Sequence, residues 1–287
     1  MNEEFAIEPT ALRDFKDVRY VLSKFGFHEG RFISALPGEW VKEVYAQIEV
    51  LNDGPSKLGA KELLRITQKE RGGIVGSGVC FDRSKPWIKN AIGCGREIAG
   101  ILVSKETKPE GDNCQSIEVV NESFFGSTRE CKVRATVEEF GRVAARLIEF
   151  SHEIYLVDPY LLNNPHLHPS SLDVLKEFIR IGARGRCKNF VVYTEIKTSY
   201  EFLRKHFQGT GASIRVCQIE QGNADDDLHP RYLLSKFGGI RFDKGFMPED
   251  IRRDVSVIDI GMHSELCKLY LDGEHGFKIL AEHFFQE

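Results

Sequence analysis

The chain has 287 residues, 41% of them hydrophobic and 29% charged, with a formal net charge of −4. These values describe a soluble globular protein of one large or two ordinary domains, and any nucleic-acid binding must use a local basic patch rather than the overall charge. No run approaches the roughly 18 apolar residues of a membrane span, and the acidic start Met-Asn-Glu-Glu is unlike a signal or transit peptide.

Seven cysteines (Cys80, Cys94, Cys114, Cys131, Cys187, Cys217 and Cys267) form no Cys-x-x-Cys pair and are odd in number. They read as the reduced thiols of a cytoplasmic protein rather than as a zinc ribbon or a disulfide framework. The nearest metal-like spacing, His166-x-His168, lies in a prolyl loop and reads as chance, so neither a metal nor a cofactor is expected.

In chain order, residues 8–27 place Leu12, Phe15, Val18, Val21, Leu22 and Phe25 at helical spacing. This predicts an amphipathic helix with Thr10 near its cap and Gly26 at its end. Residues 31–51 read as a turn, Pro37-Gly38-Glu39-Trp40, followed by a helix carrying Val41, Val44, Tyr45, Ile48 and Leu51. After the breaker Asn52-Asp53-Gly54-Pro55-Ser56, residues 59–70 make a short basic helix.

From Lys61 to Lys89 there are seven Lys or Arg against three acids, interleaved with Phe81 and Trp87. Arg65, Lys69, Arg71, Arg83, Lys85 and Trp87 are therefore candidate nucleic-acid contacts, through phosphate neutralisation and base stacking. The same composition also suits a solvated helix face beside a core tryptophan. The Gly72–Gly78 loop lacks the lysine and hydroxyl of a P-loop.

Residues 87–93 read as helix, Ile98–Val103 as a buried strand, Lys105–Asn113 as linker and Ile117–Val120 as a short strand. These signals set out an N-terminal α+β domain over 1–130 and a second domain over 131–287.

The second domain has a regular rhythm. Helices are expected at Val137–Phe150, Leu172–Ile181 and Tyr200–Phe207. Strands are expected at Ile154–Val157, Phe190–Thr194, Ser213–Ile219 and Val255–Ile260, with helices around Glu265–Tyr270 and Phe277–Phe285. Alternation of strand and helix implies an α/β domain with a largely parallel sheet sandwiched by helices. The functional edge of such a sheet lies at the strand carboxyl ends. Asp158 and Glu195 each follow an apolar strand, which puts two carboxylates at one edge, each suited to orienting an imidazole. Either also suits a plain turn or solvated strand end. Whether a histidine joins them depends on strand direction and order, which the sequence does not fix.

That histidine lies in residues 224–246. An acidic run, Asp225 to Asp227, leads to His229 and Arg231, two apart at the mouth of the apolar run Tyr232–Leu234. In a strand these two side chains emerge on one side, with Tyr232 and Leu234 on the other. Gly238-Gly239 makes the turn to a second strand from Ile240 to Phe242, closed by Asp243, Lys244 and Gly245. Histidine serves as nucleophile or acid near neutral pH, and arginine holds two phosphate oxygens in fixed geometry. A plain hairpin with a surface His-Arg pair is the other reading of the same residues.

This stretch resembles the phospholipase-D-like superfamily, whose motif is His-x-Lys-x4-Asp followed by a Gly-Ser-x-Asn-like strand end. His229 matches the histidine, Arg231 stands where the lysine belongs, Lys236 stands where the aspartate belongs, and Asp243-Lys244-Gly245 occupies the region of the last segment. The run His-x-Arg-Tyr-Leu-Leu followed by Gly-Gly is similar to divergent bacterial members. The resemblance covers about residues 135–287 and implies a phospholipase-D-like mixed sheet flanked by helices.

It further implies metal-independent phosphodiester hydrolysis, most readily of nucleic acid. His229 would be the nucleophile, Arg231 and Lys244 would stabilise the phosphoryl oxygens, and Glu195 or Asp158 would orient the histidine. Catalytic members need two such motifs, so one copy per chain implies a homodimer. Some relatives keep the fold as non-catalytic modules, and a binding role towards a protein partner, nucleic acid or phosphate headgroup stays open. Residues 19–26 and 231–238 are near-identical octapeptides with unrelated flanks. The first is expected to be helical and the second extended, the repeat being coincidence rather than duplication.

Overall fold

The computed structural model describes residues 2–126, 129–163, 169–220, 231–274 and 277–286. The chain divides into two compact units, Met1–Thr128 and Arg129–Glu287.

In the first unit, β1 (Glu3–Ile7) runs through α1 (Phe15–Leu22) to β2 (Arg31–Ala35). Two helices, α2 (Trp40–Glu49) and α3 (Pro55–Lys69), lead to β3 (Ile74–Gly76), and α4 (Trp87–Ile92) leads to β4 (Gly100–Val103) and β5 (Cys114–Ser116). The sheet order is β3-β2-β1-β4-β5, with every neighbouring pair parallel.

Side-chain alternation along β1 decides the layers. Phe5 and Ile7 pack with Val18, Val21, Trp40, Val44, Ala60 and Leu64 of α1, α2 and α3. Ala6 packs on the other side with Ile88 and Ala91 of α4. The α+β expectation for this unit is thereby corrected to a parallel, doubly wound α/β sheet.

The reason is legible in β1 and β2. Both are buried between two helix layers, so neither shows the polar-apolar alternation of a half-exposed strand, and both begin with charged residues that read as loop. Glu4 is buried against Arg96 at 3.2 Å, and Arg31 is buried against Glu29 at 2.7 Å.

Three smaller corrections belong here. The first long helix starts at Phe15, capped by the Asp14 side chain on the Asp17 N–H, while Thr10 lies in a separate helical turn, Pro9–Ala11. The strand expected at Ile117–Val120 is a turn, and β5 precedes it. The helix expected from residue 59 already begins at Pro55, where a missing N–H costs nothing in the first turn.

The second unit contains β6 (Glu130–Arg134), α5 (Val137–Phe150), β7 (Glu153–Val157), α6 (Ser171–Arg184), β8 (Asn189–Thr194), α7 (Tyr200–Phe207) and β9 (Ser213–Glu220). The hairpin of β10 (Arg231–Ser235) and β11 (Gly238–Phe242) follows, then β12 (Arg252–Val257), α8 (Ile260–Leu266) and β13 (Lys278–Phe285). The order is β13-β9-β8-β7-β10-β11-β12-β6. Strands β7, β8 and β9 are parallel, and β10 turns antiparallel to β7. Strand β13 closes the other side antiparallel to β9.

The octapeptides differ as expected: Arg19–Leu22 lies in α1, while Arg231–Ser235 is β10. The helix expected over Phe277–Phe285 is a strand instead. Its exposure alternates residue by residue, with Lys278, Leu280, Glu282 and Phe284 outward, a period of two that nine residues of mixed hydrophobicity also allow as helix. The strand expected to reach Ile260 stops at Val257, and Asp259 caps α8 through the Gly261 and Met262 N–H groups.

Candidate functional site

Asp158 directly follows the apolar β7 and Glu195 directly follows β8, so both carboxylates stand at the carboxyl edge of the parallel strands. Because β10 runs antiparallel to β7, with Tyr232 opposite Val157, its first residue reaches the same edge. Arg231 therefore meets Asp158, Nε to Oδ1 at 3.8 Å. Its guanidinium also lies over the Tyr160 ring, 5.4 Å from the centroid, a cation–π contact. Tyr232 and Leu234 pack together on the opposite face, with Leu266 of α8 and with Tyr270.

Asp158 is only 3% exposed. Its Oδ1 accepts the Tyr160 N–H at 2.9 Å and its Oδ2 the Phe246 N–H at 3.1 Å. Burial pushes its pKa above the usual carboxylate value, opposed by those two N–H groups and by the charges of Arg231 and Arg253. The carboxylate thus fastens the turn after β7 to the connection between β11 and β12.

Arg253 fixes that connection from beneath. Its Nη1 donates to the carbonyls of Lys244 and Gly245, both at 2.9 Å, and its Nη2 pairs with Glu249 at 2.9 Å. Lys244 is exposed above the backbone so held. Gly245 has φ +79°, and a Cβ there would stand 2.6 Å from Asp158 Oδ2 and 3.3 Å from Arg231 Nε. Glycine alone lets the chain pass this close.

Phe246 and Arg253 had no part in the sequence-based site, and Gly245 entered it only as the end of the Asp243-Lys244-Gly245 segment. The Asp-Lys-Gly turn was a local signal for the glycine. Nothing local marked the arginine, whose partners are backbone carbonyls eight and nine residues away.

Glu195 is half-buried. Its N–H donates to Pro159 O at 2.9 Å, which ties it to the loop that carries Asp158. Its Oε1 is buried and accepts no hydrogen bond among the described residues. His229, and with it His166 and His168, lies outside the described residues.

The basic candidates of the first unit are divided between elements. Arg65 and Lys69 ride on α3, where Arg65 bonds Glu62 and Glu70 at 2.7 and 2.6 Å. Arg71 follows that helix, its carbonyl taking the Phe27 N–H at 3.0 Å. Arg83, Lys85 and Trp87 belong to the approach to α4, which packs on the other face of the sheet. Arg83 pairs with Glu39 at 3.3 Å and Lys85 with Asp82 at 3.2 Å. Trp87 donates its indole N–H to Leu36 O at 2.8 Å.

Among the described residues no group of three or more His, Cys, Asp or Glu is placed to hold a metal ion. No helix among them is long and apolar enough to cross a membrane.

The molecule is a mixed α/β protein with two sheets, and in its second unit a carboxylate–guanidinium pair occupies the edge where parallel strands end. Comparison of the chain with protein families, with curated proteins and with solved structures finds no match.

Proposed function

We propose that the second unit is a phospholipase-D-like domain that acts on phosphodiesters, with nucleic acid as its substrate class. The observation that carries this reading is the antiparallel entry of β10, which sets Arg231 beside Asp158 at the carboxyl edge of β7 and β8. His229 is two residues from Arg231 in sequence, and since a chain spans at most about 3.6 Å per residue its Cα cannot be more than about 7 Å from the Arg231 Cα.

The chemistry follows from the groups. The neutral His229 imidazole attacks phosphorus, the bond to the leaving oxygen breaks, and a phosphohistidine forms; water then attacks phosphorus and frees the imidazole. Arg231 and Lys244 offset the charge on the non-bridging oxygens. Asp158 already accepts two backbone N–H groups beside Arg231, so its part is to position the arginine. Glu195, with a buried oxygen that takes no hydrogen bond among the described residues, is the better orienter of the imidazole. The leaving oxygen requires an acid, and a second His229 across a homodimer axis supplies it.

The test is turnover of bis(p-nitrophenyl) phosphate, single-stranded DNA, duplex DNA and RNA, with and without chelator, together with the solution mass. Chelator-resistant hydrolysis by a dimer, abolished in His229→Ala with folding intact, is the expected result. Loss of activity with chelator, or a fully active His229→Ala protein, would sink the mechanism.

One observation favours a non-catalytic module of the same fold, binding a protein partner, nucleic acid or a phosphate headgroup. Arg231 is already faced by a buried carboxylate at 3.8 Å, which lowers the positive potential that a transition state would use. That version gives no turnover on any of the four substrates, and His229→Ala and Arg231→Ala both weaken binding.

A further inference from the structure

The first unit carries its own site, independent of the second. Its chain builds β1, β2 and β3 in one direction and then crosses back to place β4 on the other side of β1. The carboxyl edge beside β1 is therefore a topological switch point, where open parallel sheets leave a crevice.

A cleft of about 380 Å³ opens there, within the range of about 300–1,000 Å³ usual for small-molecule sites. Its lining comes from three places in the sequence: Glu8 after β1, Glu43 and Gln47 of α2, and Phe81 and Arg83 ahead of α4 with Trp87 at its first residue.

The chemistry of this lining excludes the usual occupant of a switch point. Dinucleotide sites put a pyrophosphate on a glycine-rich turn with open N–H groups. Here β1 is followed by Glu8-Pro9. The Glu8 N–H is spent on Leu102 O at 2.8 Å, and proline has none. A buried carboxylate stands where the anion would sit. Glu8 Oε2 accepts the Ser104 N–H at 2.7 Å, and Oε1 accepts the Thr107 hydroxyl at 3.0 Å. A carboxylate offers about four acceptor positions, so acceptors remain for hydroxyl donors of a ligand.

The other wall is aromatic. Phe81 and Trp87 are half-buried against the α4 core, and the bond from the Trp87 indole to Leu36 O fixes the ring. Ring faces held this way suit a flat heterocycle. Arg83 is exposed and pairs at 3.3 Å with exposed Glu39, and such surface pairs exchange partners at little cost.

We propose that this cleft binds a ribonucleoside or its 5′-monophosphate. The base lies against Phe81 and Trp87, the ribose hydroxyls donate to Glu8 and Glu43, and Arg83 takes the 5′-phosphate.

The experiment titrates the full chain with adenosine, guanosine, cytidine and uridine. Tryptophan fluorescence is the first readout, because Trp87 lines the cleft and the other tryptophan, Trp40, is fully buried. Calorimetry follows for the variants. A saturable change is expected with at least one nucleoside. Affinity should fall about 10-fold for its 2′,3′-dideoxy analogue and about 10-fold in Glu43→Gln.

The matching 5′-monophosphate should bind more tightly than the nucleoside, and Arg83→Ala should remove that advantage while leaving nucleoside affinity unchanged. His229→Ala, in the other unit, should not alter any of these affinities. Circular dichroism on each variant separates lost binding from lost fold. No saturable change with any of the four nucleosides would overturn the proposal. So would unchanged affinity in both Glu43→Gln and Trp87→Phe, or binding of an oligonucleotide without binding of free nucleosides.

Discussion

Asp158 Oδ2 accepts the backbone N–H of Phe246 at 3.1 Å, joining residues 88 apart in sequence. The same carboxylate faces Arg231 at 3.8 Å, so one buried side chain holds both the turn after β7 and the entrance of β10. Asp158→Ala is expected to cost about 3 kcal/mol, because it leaves the Tyr160 and Phe246 N–H groups without their acceptor and removes the carboxylate that faces Arg231. Asp158→Asn, which keeps one acceptor oxygen, should cost less. Urea unfolding of the two variants checks the order. A loss in Asp158→Ala below about 1 kcal/mol would show that the carboxylate does not hold these segments together.

Gly245 is the steric counterpart of that anchor. With φ at +79° and a virtual Cβ 2.6 Å from Asp158 Oδ2, Gly245→Ala combines left-handed backbone strain with a clash against buried polar atoms. We expect about 2 kcal/mol or more of lost stability. If the site binds phosphate esters, their affinity should fall in parallel, since Arg231 Nε is 3.3 Å from the same virtual atom. Thermal melts and phosphodiester titration read the two effects separately.

Arg231 separates charge from geometry. Arg231→Lys keeps the cation but loses the planar fork and much of the stack on Tyr160. It should keep part of the phosphodiester activity or binding, whereas Arg231→Ala should lose nearly all of it. Equal affinity of the two variants would remove the arginine from the ligand site.

A pH effect is expected in the first unit. Partial burial and the neighbouring Asp14 carboxylate raise Asp17 from 3.8 to about 6. The folded chain then binds this proton more tightly than the unfolded chain does. The stabilisation is full below about pH 3.8 and is lost as pH rises through about 6. Asp17→Asn, which cannot ionise, should flatten that part of the stability profile. Denaturation at several pH values between these limits reads it; an unchanged slope contradicts the assignment.

The thiols should separate by burial. Desolvation pushes Cys217 up to about 11 and Cys187 up to about 12, while Cys80 is exposed. A thiol reagent at pH 8 should label Cys80 in the native protein and reach Cys187 and Cys217 only after unfolding. Peptide mapping of the labelled protein identifies the order.

Sequence alone determined elements whose periodicity is local. The amphipathic α5 has Phe140, Val143, Ala144, Leu147 and Ile148 buried on one stripe. The apolar strands β7, β8 and β9 and the existence of the β10–β11 hairpin were legible for the same reason, and so were Asp158 and Glu195 as strand-end carboxylates, whereas the turn expected at Gly238-Gly239 falls at Lys236-Phe237, both glycines pairing with β10 as the first residues of β11. Strands β1 and β2 were not, because burial on two faces erases alternation and charged first residues disguise the start. Nor was β13, whose nine-residue stretch fits two periods until β9 supplies a hydrogen-bonding partner.

Tertiary structure alone decided the direction of β10, and with it the meeting of Arg231 and Asp158, because strand pairing is a contact between distant segments. It also made near-identical residues, differing only as Val21 and Leu233, a helix at Arg19–Leu22 and a strand at Arg231–Leu234. The first segment turns one apolar stripe onto a sheet, while the second is paired on both sides by β7 and β11. An octapeptide has no say in which surroundings it meets, and the surroundings outweigh its propensity.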